Sequence, residues 1–142
     1  MANDTEPLAL LDSLLAAARR AGAECADAVI FEAAAISVAQ RLGEPEKLER
    51  AESRDLGLRV FMGKRQAIVS STDFKPDALD ELVERAVAMA KVAPEDPHCG
   101  IAAADQIIAK VPTLDICDPN EPTAEQLVEM ARAAEDAARA VP

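Results

Sequence analysis

The sequence predicts an α+β fold, in which an antiparallel β-sheet of about four strands, with a central hairpin, packs against two or three helices. Three observations support this prediction. Apolar residues recur at helical spacing in separate segments, they alternate with polar residues around Val60, and glycines mark several of the turns. Half of the 142 residues are hydrophobic, which is enough to bury a core without disulfides or a metal.

The first helix is predicted over Thr5 to Ala21. Thr5 can cap it, and Pro7 fits its first turn. Backbone N–H groups in the first turn make no hydrogen bond within the helix, so the N–H that proline lacks is not needed there. Gly22 follows as a stop signal. Two strands are then predicted between Cys25 and Leu42, with the break in the alanine-rich middle, followed by a turn at GEPE, residues 43–46.

The central hairpin is the clearest local signal. Residues Leu56 to Met62 alternate with period 2, Gly63-Lys64 can form a tight turn, and Gln66 to Ser71 returns with the same alternation. One face of this hairpin is therefore predicted to be buried.

Two further helices complete the predicted fold. One begins near Pro76 and ends before Pro94, and its inward stripe comprises Leu79, Leu82, Val83, Ala86 and Met89 or Ala90. The other opens with Thr123 and Gln126, which match a capping box. It has no C-cap glycine, so we expect the natural polypeptide to continue beyond it.

Composition excludes several classes of function. The net charge of −11 argues against direct binding to nucleic acid or to an anionic membrane, because like charges repel. The sequence has no signal peptide and no apolar run of membrane-spanning length, which predicts a cytoplasmic protein. An odd number of cysteines without a C-x-x-C pair predicts reduced thiols.

His98 and Cys99 raise two chemical alternatives. A metal site would need further ligands, but His98 is the only histidine, and the spacing of Cys99 and Cys117 matches no zinc module. A Cys–His nucleophilic pair would need a third, orienting group, and none is identifiable. The sequence favours a surface histidine and ordinary cysteines, and it leaves any role of these three residues open.

Hydroxyl and charged residues around the hairpin also have simpler explanations. Ser70, Ser71 and Thr72 lie between a strand and a helix, where helix capping or strand-end solvation is favoured over an anion site, since no phosphate loop accompanies them. The charged residues predict a solvated, salt-bridged face, with Arg59 facing solvent or a partner chain. These charged residues are Glu49, Glu52, Arg54, Arg59, Lys64 and Arg65.

The stretch RAESRDLGLRVFMGKRQAIVSSTDF, residues 50–74, resembles a signature of the PmbA/TldE branch of the TldD/PmbA family, which is also labelled modulator of DNA gyrase. The resemblance covers most of the chain from Leu8 to Val141. Asp55 departs from it, because the family usually has glycine there. The matching residues are Glu52, Ser53, Arg54, Leu56, Gly57, Leu58, Arg59, Val60, Phe61, Gly63, Arg65, Ser71, Thr72 and Asp73.

The resemblance implies that residues 1–142 form the N-terminal domain of a longer protein, in which residues 118–142 lead toward a C-terminal β domain outside this chain. It implies a metallopeptidase complex whose TldD-type partner holds zinc and cleaves peptides. No catalytic or metal residue is carried over to this chain, so no cofactor is expected in it. The expected partners are a TldD-like subunit or a second copy, and unfolded peptide.

Three functional hypotheses follow. The first is a non-catalytic domain that acts in subunit assembly and peptide admission, with exposed strand edges capturing extended peptide. The second is a free-standing protein- or small-molecule-binding module without enzyme activity. The third is an enzyme that uses Cys99 and His98.

Overall fold

The computed structural model describes residues 5–108, 110, 112–116 and 118–141, and it confirms the α+β fold. Helices α1 (Thr5–Arg20), α2 (Pro76–Val92) and α3 (Ala124–Arg139) accompany strands β1 (Cys25–Arg41), β2 (Glu44–Met62) and β3 (Arg65–Ser71). The strands form one antiparallel sheet in the order β1-β2-β3. A short 3-10 helix, Ala104–Gln106, lies between α2 and α3.

The predicted strand count is wrong by one. The segment from Cys25 to Arg41 is a single strand rather than two, because the backbone stays extended through the alanine-rich middle and the strand remains next to β2 in the sheet. The predicted turn at residues 43–46 is also displaced. The turn is Leu42-Gly43, with φ of 53° and 85°, and β2 has already begun at Glu44. Positive φ at both central residues suits a two-residue hairpin.

The predicted central hairpin is confirmed. Met62 pairs with Arg65 across the Gly63-Lys64 turn, and the register continues to Leu56 opposite Ser71. Gly63 has a φ of 60°, a backbone conformation that glycine adopts without the steric cost that a Cβ would add.

The chain divides into two compact units. Unit 1 comprises the residues up to Glu32 together with Arg54–Ile107, and unit 2 comprises Ala33–Ser53 together with the residues from Ile108 onward. Strands β1 and β2 contribute residues to both units.

Unit 1 contains the hydrophobic core. The inward residues of β2 and β3 pack against α2, which in turn contacts α1. The α2 stripe is as predicted, with Ala90 rather than Met89 facing inward and Val87 added. The buried residues of this core are Leu14, Ala18, Ala23, Leu56, Leu58, Val60, Ala67, Val69, Leu79, Leu82, Val83, Ala86, Val87 and Ala90.

Unit 2 is a two-stranded ribbon with α3. The predicted capping box is confirmed, since Gln126 N donates to Thr123 Oγ1 at 3.3 Å and Thr123 N donates to Gln126 Oε1 at 2.8 Å. The N–H of Gly43 donates to both carboxylate oxygens of Glu135, at 3.1 and 3.2 Å. These bonds connect the tip of the ribbon to α3. No described residue of α3 is buried.

Candidate functional site

Arg59 and Asp27 lie on the outer face of the unit 1 sheet, because alternation turns them away from the buried Leu58 and Val60. Arg59 Nε donates to both oxygens of Asp27 at 3.1 Å, and its guanidinium lies 4.9 Å from the centroid of the Phe61 ring. The hydrogen bonds to Asp27 raise the pKa of Arg59. Arg59 is thus held within its own sheet while remaining partly open to solvent.

A shallow groove lies beside this ion pair. Its volume is 370 Å³, and Val29 and Ile68, which line it, are 59% and 64% exposed. A Cβ at Gly57 would come within 3.3 Å of Val29 Cγ1, so a larger residue at Gly57 would crowd the groove floor. Phe31, on the same face of β1, is also exposed. The outer face therefore presents apolar side chains around one ion pair.

The other arginines of the signature make contacts within unit 1. Arg54 binds Glu32 at 2.7 Å and lies 4.4 Å from the centroid of the Phe74 ring. Arg65 binds Glu95 at 3.2 Å and donates to the carbonyl of Lys91 at 3.1 Å. The charged residues of the hairpin are spread along the strands with separate partners, and they do not converge on one site.

The first two signature residues lie in unit 2. Glu52 accepts hydrogen bonds from the Arg50 side chain at 2.8 and 2.9 Å, and Ser53 is exposed. Glu49 pairs with Lys47 on the same strand at 2.5 Å. These short-range ion pairs match the predicted solvated face and offer no desolvated acid–base pair.

The hydroxyl residues after β3 form a turn and do not cap α2. The cap position of α2 is Lys75, which makes no side-chain cap. Instead, Ser71 Oγ accepts from Asp73 N at 3.0 Å, and Asp73 Oδ1 accepts from Lys75 N at 3.0 Å, while Thr72 is exposed. The predicted role at the strand end therefore agrees with the structure, and the predicted role as a helix cap does not.

His98 and Cys99 differ in their exposure to solvent. His98 is exposed, whereas Cys99 is only 4% exposed and its carbonyl accepts from Lys64 Nζ at 3.1 Å. Within the described part of the chain, no three His, Cys, Asp or Glu residues are grouped so as to hold a metal ion. Cys117 lies outside the described residues.

A second groove was not anticipated from the sequence. It has a volume of 470 Å³ and lies between β3 and the C-terminal end of α2. Its exposed apolar residues are Ile68, Met89 and Val92. The available signal was Val92, an apolar residue outside the predicted inward stripe of α2. Met89 gave no such signal, because the sequence left either Met89 or Ala90 in that stripe.

A smaller cavity of 230 Å³ lies between α1 and α2, and the residues that line it include Leu10, Leu14 and Phe74.

None of the helices in the described ranges has the length and apolar character needed to cross a membrane.

With this geometry established, the comparisons with known proteins define a class. Residues 26–90 match the family model described as PmbA/TldA metallopeptidase domain 1. Metalloprotease PmbA of Escherichia coli is 34% identical over 124 residues, covering 87% of this chain and 27% of that protein. A Metalloprotease PmbA homolog of Haemophilus influenzae is 31% identical over 121 residues, covering 85% and 27%.

Two solved structures share the fold. A Bacteroides thetaiotaomicron protein named as a modulator of DNA gyrase aligns with a TM-score of 0.86 at 17% identity, over 97% of this chain and 32% of that one. TldE from Thermococcus kodakarensis aligns with a TM-score of 0.65 at 17% identity, over 92% and 29%.

The chain belongs to the TldD/PmbA family and contains its first, N-terminal domain. It spans about a quarter of the length of the curated relatives, 27% in both cases. Those relatives are named as metalloproteases, but the described residues of this chain do not fit a metal, since they include no suitable group of ligands.

Proposed function

We propose that this chain is the non-catalytic N-terminal part of a PmbA/TldE-like subunit of a cytoplasmic metallopeptidase complex, in which it acts in subunit assembly and peptide admission. The partner would be a TldD-like subunit, which would hold the zinc, or a second copy. The observation that most supports this proposal is the exposed apolar outer face of the sheet, in a chain that is 34% identical to Metalloprotease PmbA.

The outer face suits assembly because its exposed apolar residues are clustered. Val29, Phe31 and Ile68 are between 59% and 64% exposed and all lie on one side of a three-stranded sheet. Burying such side chains in an interface contributes roughly 25 cal/mol per Å² of apolar surface. Arg59 and Asp27 would supply a polar rim to that interface.

The assembly role is tested with the full-length protein and a TldD-type subunit from the same source. Phe31→Lys places a charge on the outer face, and we expect it to reduce co-elution of the two subunits in size-exclusion chromatography with light scattering. Leu8→Lys is the matched control, because Leu8 is 60% exposed on α1, away from the outer face. Unchanged co-elution of the Phe31 variant would contradict the assembly role.

The peptide role requires a separate measurement on the same complex. Cleavage of an unfolded peptide substrate is followed with the PmbA-type subunit present and absent. We expect cleavage to depend on that subunit even though the zinc would be held by its partner. Cleavage at full rate without the subunit would contradict peptide admission.

The alternative of a small-molecule-binding module has less support. The cavity between α1 and α2, at 230 Å³, is below the ~300 Å³ at which ligand pockets usually begin. The grooves of 370 and 470 Å³ exceed that volume, but they are shallow and open, whereas ligand pockets surround most of the ligand surface. The intact mass of the natural polypeptide separates the hypotheses further. A mass several-fold above that of this chain supports the subunit proposal, whereas a mass equal to it supports the independent module.

A further inference from the structure

The outer edge of β3 has backbone groups that no neighbouring strand in the described residues uses. Met62 and Arg65 flank a two-residue turn, so they form a hydrogen-bonded pair, and bonding to β2 continues at every second residue of β3. The intervening residues, Gln66, Ile68 and Ser70, therefore direct their N–H and C=O groups away from β2. The sheet of the described residues ends at β3, so no further strand uses these groups.

A side-chain contact supports this orientation. Arg85 Nη2 of α2 donates to the carbonyl of Ser70 at 3.4 Å, which requires that carbonyl to lie on the α2 side of β3. The edge is therefore accessible next to a helix, and the groove between the two elements runs beside it.

The groove is lined mainly by apolar residues, and Arg85 lies one helical turn before Met89 on the same side of α2. Arg85, Met89 and Val92 follow each other at helical spacing on one side of α2. Met89 and Val92 are 45% and 83% exposed and lie near Ala67 and Ile68. Arg85 is in no ion pair with a described residue, although the chain as a whole has a net charge of −11.

We propose that the β3 edge and this groove bind an extended peptide segment as a fourth strand, antiparallel to β3. The N–H and C=O groups of Gln66 and Ile68 and the N–H of Ser70 would pair with the peptide, because strand addition uses main-chain hydrogen bonds, while the Ser70 carbonyl keeps its bond from Arg85. Apolar peptide side chains lie against Met89 and Val92. An acidic residue near the N-terminal end of the peptide lies beside Arg85.

The β1 edge is also open, and a cavity of 240 Å³ lies between Ala34 and Ile36 of β1 and Leu127 of α3. The groove beside β3 is larger, at 470 Å³, and Arg85 lies on the same side of α2 as its exposed apolar residues. The β3 site deepens the proposed function, since it names where peptide is admitted and which peptide chemistry is preferred. Binding of peptide at β3 can be measured without a partner subunit, so the two proposals can fail separately.

The probe is a fluorescein-labelled peptide of about six residues, the usual length of a strand, with acidic residues at its N-terminal end followed by alternating valine and threonine. Its binding to the chain is followed by fluorescence anisotropy. Methylating alternate backbone nitrogens removes the donors needed for strand pairing, and we expect affinity to fall about tenfold or more. Equal binding of the methylated peptide would overturn the proposal.

Two variants locate the site. Ile68→Pro removes an outward N–H without removing a bond to β2, so we expect peptide binding to be lost while circular dichroism stays unchanged. Should that variant unfold, Arg85→Glu still gives a test. The original chain should bind the acidic peptide more tightly than a peptide with lysine in place of the acidic residues, and the Arg85→Glu variant should bind the lysine peptide more tightly. Arg20→Glu on α1 is the matched control and should leave the preference for the acidic peptide intact.

Two further outcomes have defined meanings. Self-association that Arg85→Glu alters, with no peptide binding, would show that the edge pairs with a second copy and would overturn the peptide proposal. Loss of substrate cleavage in the full complex with normal binding of the probe peptide would leave the β3 site in place and contradict the proposed function instead.

Discussion

At the scale of single residues, the signature stretch consists mainly of contacts that hold unit 1 together. Arg59 bonds Asp27 in a bidentate geometry that lysine could not reproduce, and Arg54 is stacked on Phe74. The residue types of this stretch were evident from the sequence. Their partners were not, because Asp27, Glu32 and Glu95 are distant in sequence and come close only when the sheet forms.

The Arg59 ion pair should make a small contribution to stability. Its side chains are 40% and 48% exposed, so solvent screening limits the loss in Arg59→Gln to about 1 kcal/mol. Urea unfolding followed by circular dichroism measures this loss. The control is Arg50→Gln, whose pair with Glu52 is 66% and 65% exposed and should contribute less. Equal effects of the two substitutions would contradict a structural role specific to Arg59.

Gly63 should be harder to replace than Gly100. An alanine at Gly63 must adopt a φ near 60°, which costs roughly 1–2 kcal/mol, whereas Gly100 has no positive φ and nothing within 4 Å of an added Cβ. We expect Gly63→Ala to lower the unfolding free energy by that amount and Gly100→Ala to leave it nearly unchanged. A comparable loss in both variants would show that the turn geometry is not the cause.

At the scale of elements, local signals predicted the three helices and the central hairpin, because caps, stop signals and alternation act over a few residues. The length of β1 was not predictable in this way. Alanine favours helices and is depleted in strands, so the local preference of the segment Ala33 to Ala35 opposes the strand that continues through it. The turn at Leu42 was missed because leucine rarely adopts positive φ.

The capping box of α3 gives a prediction at this scale. Thr123→Ala removes the acceptor for Gln126 N, and loss of such a cap costs ~1 kcal/mol. Hydrogen exchange of the first-turn amides should accelerate about fivefold. Thr72→Ala replaces an exposed threonine that caps no helix, so its exchange pattern should match that of the original chain. Unchanged exchange at Gln126 in the Thr123 variant would contradict the role of the cap.

At the scale of the whole molecule, burial is distributed unequally. Every buried hydrophobic residue in the described ranges belongs to unit 1, whereas unit 2 has a ribbon and a helix whose apolar residues are only partly covered. The candidate grooves beside β3 and Gly57 also belong to unit 1. Sequence patterns predicted apolar faces on these elements, but they could not predict how much of each face would be buried by other elements.

Unequal burial predicts unequal local stability. Regions with few buried apolar contacts open at a lower free energy than a packed core, so amides of unit 2 should exchange faster than those of unit 1. The informative comparison lies within one strand, because β2 contributes Glu44–Ser53 to unit 2 and its remaining residues to unit 1. Hydrogen exchange read by mass spectrometry should show protection rising between Ser53 and Leu56. Uniform protection along β2 would mean that the two units open as one.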